Sequence, residues 1–234
     1  MKKAVILYAI VSLVLLSYAL HAALVGAPTE QTMGDVQRIF YYHVPSAWTS
    51  MILFFINFCA SIWFLIKRDV ISDAIAVATA EVGVVFCTVV LITGPLWARP
   101  VWGIWWTWDA RLTSTLVLWL IYVSYLILRK YATGGQTQVL AAVLAVFGFL
   151  DVPLVYMAIR WFRTQHPQPV IGGGEGSGID PRMMHALLAN WLAFMVFAGL
   201  IAFLRYRLEI VTREVDAEHA KRALHDEAAF GGAQ

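Results

Sequence analysis

The chain has 234 residues, of which 60% are hydrophobic and 14% charged, with a mean hydropathy of +0.70. Soluble domains are nearer half apolar and a quarter charged, so the composition argues against a soluble domain and predicts an integral membrane protein. A net charge of +2 with no basic patch argues against a nucleic-acid partner, and two cysteines without CxxC or CxxCH spacing predict no disulfide, no zinc site and no covalent haem attachment to this chain.

Six apolar stretches approach or exceed the roughly 20 residues needed to cross a bilayer: 4–25, 46–66, 74–95, 112–128, 138–160 and 183–204. The first follows Lys2-Lys3 and ends at Val25-Gly26-Ala27, in the manner of a signal peptide. Its apolar run is longer than the about 7–15 residues of a signal core, and Pro28 would follow the cut, so it is read as a retained helix. Before the second span, "MGDVQRIFYYHVPSAW" (33–48) predicts a short interfacial helix with Ile39, Phe40 and His43 on one face. Pro45 is then the first helical residue of the span itself. Lys2-Lys3, Lys67-Arg68, Arg129-Lys130 and Arg205/Arg207 fall at alternate span ends. The positive-inside rule places them, and both termini, in the cytoplasm, which leaves loops 26–45, 96–111 and 161–182 outside. The third of these holds a glycine-rich linker at 172–178. The expected fold is an all-α integral membrane protein with six transmembrane helices and N- and C-termini cytoplasmic. Residues 1–204 form the membrane domain and 205–234 a charged, helical cytoplasmic tail.

Five tryptophans (Trp97, Trp102, Trp105, Trp106 and Trp108) lie within twelve residues of the second outer loop. An interfacial aromatic belt accounts for one or two rings per helix end. Indole offers a large rigid apolar face and a single donor, so this density predicts a platform for something flat, apolar and large at the membrane surface. Asp109 precedes the fourth span and suits both a helix cap and a role in the site. Arg111 suits an acidic ligand; Arg99 suits that or interfacial snorkelling. Of the histidines, His43, His166 and His185 fall on the outer side, level with the tryptophans, whereas His21 is late in the first span and His219 and His225 lie in the tail. A flat apolar dicarboxylate whose centre takes two imidazoles is haem. Glu81 and Asp151 are ionisable groups within spans and are functional candidates without an assigned role. Asp151 also suits donors freed by Pro153.

The stretch "WGIWWTWDARLTS" (102–114) resembles the WWD signature of the haem-handling proteins of cytochrome c biogenesis. Within that superfamily the length, "YYHVPSAW" at 41–48 and "GID-P" at 178–181 resemble the cytochrome c maturation protein C, or haem exporter protein C, family over about residues 30–205. The resemblance implies haem binding at the outer face of the bacterial cytoplasmic (inner) membrane, and presentation of that haem to a membrane-anchored haem chaperone, the E component. It implies a complex with the ABC ATPase A and permease B subunits and a small one-span D protein, and no enzymatic reaction. It also implies non-covalent haem b with bis-histidine ligation. His43 matches the first axial ligand and His166, after the aromatic pair Trp161-Phe162, the second, with His185 in the first turn of span six as the alternative. Trp102, Trp105, Trp106, Trp108 and Asp109 match the signature. Two positions depart from the family: Phe162 where a tryptophan is usual, and Asp151 where an amide is usual. The competing functional expectation is a transmembrane haem permease subunit.

Overall fold

The computed structural model describes residues 2–132, 134–169, 171 and 178–231. It is all-helical: α1 (Lys2–His21) continues through a π-turn at Ala22–Gly26, and a 3-10 turn at Asp35–Ile39 leads into α2 (Phe40–Lys67). There follow α3 (Val70–Trp102), α4 (Ala110–Tyr131), α5 (Thr137–Phe149), α6 (Asp151–Trp161) and α7 (Pro181–Gly231). Six helical stretches are long and apolar enough to cross a membrane, as expected, with α5 and α6 together forming the fifth.

Three boundaries differ from expectation. No separate interfacial helix precedes span two, because the 3-10 turn runs straight into α2 and Pro45 sits inside that helix. Helix α3 runs through Pro95 and Pro100 to Trp102, so Trp97 and Trp102 are helical and the second outer loop contracts to 103–109. Each proline removes one donor but holds a φ compatible with helix. The true stop is Gly103, at φ 78°, where only glycine is unstrained; its N–H donates to the Arg99 carbonyl at 3.0 Å. The fifth span breaks at Leu150, where the ring of Pro153 in the first turn of α6 opposes the carbonyl four residues earlier. The glycine-rich stretch 172–177 lies outside the described residues.

The α2–α3 hairpin is tight because its two connecting residues are specialised. Arg68 adopts the left-handed conformation (φ 57°), and Asp69 caps α3 by accepting from the Ser72 N–H at 2.8 Å and hydroxyl at 2.6 Å. Gly83 lets α2 close on α3, since a Cβ there would come within 2.7 Å of the Phe54 ring. Phe54 in turn stacks on Tyr122 of α4 at 3.8 Å. A second apolar cluster, at the opposite end from the basic residues, joins Ala22 and Ala23 beyond α1, Phe40 and Tyr41 of α2, and Met183 and Leu187 of α7. It holds the 3-10 turn and the start of α2 in a fixed position beside α3. Arg38 ties the same region to the end of α1 by donating to the Ala23 carbonyl at 2.7 Å.

At the basic end, Asp73 is almost fully buried and accepts from Arg129 of α4 through both guanidinium nitrogens at 2.7 Å and from Arg213 of α7 at 2.6 Å. Glu81 pairs with Arg205 of α7, one contact being 2.7 Å, so this intramembrane carboxylate is committed to an interhelical ion pair. Helix α7 spans 51 residues, about 75 Å at 1.5 Å per residue, and these pairs fasten the stretch beyond Leu204 to the bundle.

Candidate functional site

At the tryptophan end, α2, α3, the start of α4 and the loop after α6 enclose a mostly apolar cleft of about 1160 Å³ of empty space, open mouth included. Its walls carry His43 from α2, Trp97 and Trp102 from α3, Trp106 from the 103–109 loop, Arg111 from α4 and His166 from the loop after α6. Cys87 and Leu118 line it deeper in the bundle. The α3 residues that reach it, Cys87, Val90, Leu91, Gly94, Ala98 and Val101, recur at helical spacing, so one face of α3 forms a wall.

Asp109 is the N-cap of α4. Its Oδ1 accepts from the backbone N–H groups of Arg111 and Leu112, each at 3.0 Å, and its Oδ2 accepts from the Thr107 hydroxyl at 3.2 Å. Capping and site-building are here one function, because the cap fixes the turn that carries Arg111 into the cleft wall. The Nη1 of Arg111 is buried without a hydrogen-bond partner, as are the indole N–H groups of Trp97 and Trp106. An unpaired buried guanidinium nitrogen is costly unless an anion meets it.

His43 is 8% exposed. Its ring lies edge-on to Trp97 with centroids 5.9 Å apart, and its Nδ1 is 2.9 Å from the Thr93 hydroxyl. His166 is half-buried, and its Nδ1 is 2.9 Å from the Pro167 carbonyl. A carbonyl only accepts, so Nδ1 carries the proton and Nε2 keeps a free lone pair. Burial, and secondarily the positive charge of Arg111, push the His166 pKa down from 6.5 to about 4, against the opposing pull of the Pro167 hydrogen bond and Asp109. The imidazole is therefore neutral at neutral pH, the form that binds a metal.

The structure brings His43, His166, Trp102, Trp106 and Arg111 together, with Asp109 supporting them, and leaves Trp105, Trp108, His185, Arg99 and Asp151 apart. Trp105 and Trp108 are 56% and 76% exposed and do not line the cleft; Trp108 packs edge-on to Trp106 at 5.8 Å. Of the five tryptophans expected to form a platform, three, Trp97, Trp102 and Trp106, line the cleft as a wall, because helix α3 continues into the tryptophan run. His185 sits on α7 with its Nε2 2.6 Å from the Tyr18 hydroxyl, in a separate hollow between α1 and α7 that also includes His21. Arg99 is exposed and donates to the Gly103 carbonyl, finishing α3. Asp151 heads α6, outside the cleft lining. Sequence reasoning did not find Thr93, Gly94 or Cys87. Their spacing from Trp97 would have exposed them had the helix been carried past Pro95.

Among the described residues no three His, Cys, Asp or Glu side chains converge on a point, so two imidazoles in an apolar cleft do not form a bare-ion site. A family model described as haem exporter protein C matches residues 1–221. The haem exporter protein C of Bradyrhizobium diazoefficiens is 34% identical over 190 residues, covering 81% of this chain and 72% of that protein. A putative cytochrome c biosynthesis ccmC-like mitochondrial protein of Arabidopsis thaliana is 32% identical, over 88% of this chain and 80% of its own length. The haem exporter protein C of Escherichia coli K12 is 31% identical, over 80% and 76%. The six apolar helical stretches, the tryptophan-walled cleft and these matches agree: this multi-pass membrane chain belongs to the haem exporter protein C family.

Proposed function

We propose that the chain binds haem b non-covalently in this cleft, on the periplasmic side of the bacterial inner membrane, and presents it to the haem chaperone during cytochrome c maturation. The observation that carries the reading is the convergence of His43, His166 and Arg111 on one apolar cleft. Haem supplies the iron that two neutral imidazoles coordinate. Trp97, Trp102 and Trp106 give apolar surface for the macrocycle, and the unpaired Nη1 of Arg111 suits a propionate, which a guanidinium binds through charge-assisted hydrogen bonds. The chain performs no bond-making on its cargo; it captures, orients and releases.

The basic residues at the far end of the bundle support a cytoplasmic position for that end by the positive-inside rule, and with it a periplasmic position for the cleft. A cleft confined to the tryptophan end of the bundle suits loading and hand-over on one side better than passage through the membrane, which is what a haem permease subunit would require. Trp105 and Trp108, exposed beside the mouth, offer a rigid aromatic surface to the chaperone. The ATPase A, permease B and one-span D proteins would pack on the remaining bundle surface.

The reading is tested by loading the purified protein with haem and adding purified chaperone. Haem should move to the chaperone. A Trp105→Ala/Trp108→Ala double variant should keep its haem and hand it over at least about tenfold more slowly, since central aromatic residues of an interface each contribute about 2 kcal/mol or more. Unchanged transfer by that variant would remove these residues from the docking surface. Release of haem across a sealed vesicle without chaperone would favour the permease.

A further inference from the structure

We infer that Thr93 is a positioning residue for haem ligation, holding His43 in the tautomer whose Nε2 is free to bind iron; the inference rests on His43 being an axial ligand.

Thr93 lies on α3 with its Oγ1 2.9 Å from the Nδ1 of His43 on α2. A hydroxyl carries a single hydrogen. That of Thr93 is directed to the Val89 carbonyl, one turn earlier, at 2.7 Å. Toward His43 the oxygen therefore has only lone pairs to offer, so it accepts and Nδ1 donates. A neutral imidazole has one N–H, so Nε2 of this cleft-lining ring is bare. The ring is held from other sides too. Trp97, one turn beyond Thr93, packs edge-on at 5.9 Å, and a Cβ on Gly94 would come within 3.5 Å of Cε1. Thr93, Gly94 and Trp97 thus form a seat on α3 for a histidine delivered by α2. The seat exists only because α3 stays helical through Pro95.

His166 reaches the same tautomer by a different route, through the carbonyl of its own neighbour, Pro167. His43 is anchored between two helices, whereas His166 is held by its own loop. Hydrogen bonds behind a ligating imidazole fix its orientation and raise its basicity, and losing them costs about 10–100-fold in metal affinity. Thr93 makes His43 the more firmly positioned ligand of the pair.

The test uses Thr93→Val, which keeps the shape and removes the acceptor, and Thr93→Ser, which restores it. In the haem-free, full-length protein with ¹⁵N-labelled histidine, NMR should show His43 as the Nδ1–H tautomer in wild type and in Thr93→Ser, and as a mixture or as Nε2–H in Thr93→Val. A wild-type His43 in the Nε2–H form, or one unmoved in Thr93→Val, overturns the inference. Only the wild-type spectrum is needed for the first of these, so a variant that failed to fold would not rescue it. After haem loading, Thr93→Val should release haem roughly 10–100-fold more readily and show a raised reduction potential, with both reversed in Thr93→Ser. Wild-type retention and potential in Thr93→Val would also overturn it. If instead His43→Ala leaves the haem spectrum unchanged, the site assignment itself fails, whatever the NMR result.

Discussion

The site depends on a few side chains held in unusual states, and each has a consequence. Arg111 is a half-buried cation whose Nη1 is buried without a protein partner, so an anionic ligand can supply a charge-assisted hydrogen bond there. Hydrogen bonds to charged groups contribute about 1.5–3 kcal/mol, so Arg111→Ala should weaken haem retention roughly 10- to 100-fold in a competition with a haem scavenger. Equal retention would show that no propionate meets this residue. His166 has the opposite character, a base kept neutral. Its folded pKa lies below the ordinary value, so between about pH 6.5 and 4 the unfolded chain takes up a proton that the folded one refuses. Acidification over that window costs stability, while the neutral ligand persists. In the haem-free protein, the His166 ring followed by NMR should therefore stay neutral down to pH 5 and take up its proton only near pH 4. A titration centred near 6.5 would mean that the ring is exposed and unperturbed.

At the scale of elements, the tryptophan run is half helix and half loop, and its two halves do different things. Trp97 and Trp102 continue the face of α3, while Trp106 comes from the seven-residue connection that ends in the Asp109 cap. Asp109→Ala should cost about 1 kcal/mol as a lost cap and also lower haem content, because Arg111 is the second residue of the turn being capped. A thermal shift without a change in haem content would separate the two roles. At the other end, Asp73 joins α3 to α4 and α7 and is 2% exposed. Removing one partner of such a network leaves charges without a counterpart, at about 3–5 kcal/mol, so Asp73→Ala should lower the melting temperature sharply and by more than Glu81→Ala. Asp73 meets two guanidinium groups and is buried in the bundle, whereas Glu81 meets Arg205 at the bundle surface, so losing Asp73 strands more charge.

The whole molecule explains what was legible in advance. Span number and the approximate extent of each span could be read because hydropathy alone decides which segments can lie in a bilayer. The resemblance puts His166 ahead of His185 beside His43, but the physical separation of the two could not be read. His166 lines the cleft with His43, whereas α1 and α7 pack together and take up His185 through Tyr18, a contact between residues 167 positions apart. Proline and glycine are local stop signals, so the sequence alone predicts loop at the proline-punctuated end of α3. In the assembled bundle the helix continues to Gly103, the one position with a left-handed backbone there. Asp109 was open between cap and site residue, and the geometry makes it a cap that serves the site.

The central claim is that two histidines from separate elements hold haem in one cleft. The most direct measurement is the visible absorption spectrum, with haem quantified, of the detergent-purified protein beside His43→Ala, His166→Ala and His185→Ala. The account predicts a six-coordinate low-spin haem in wild type and in His185→Ala, with the spectrum lost or converted to five-coordinate in each of the other two. A wild-type spectrum retained by His43→Ala and His166→Ala, or lost in His185→Ala alone, would contradict it.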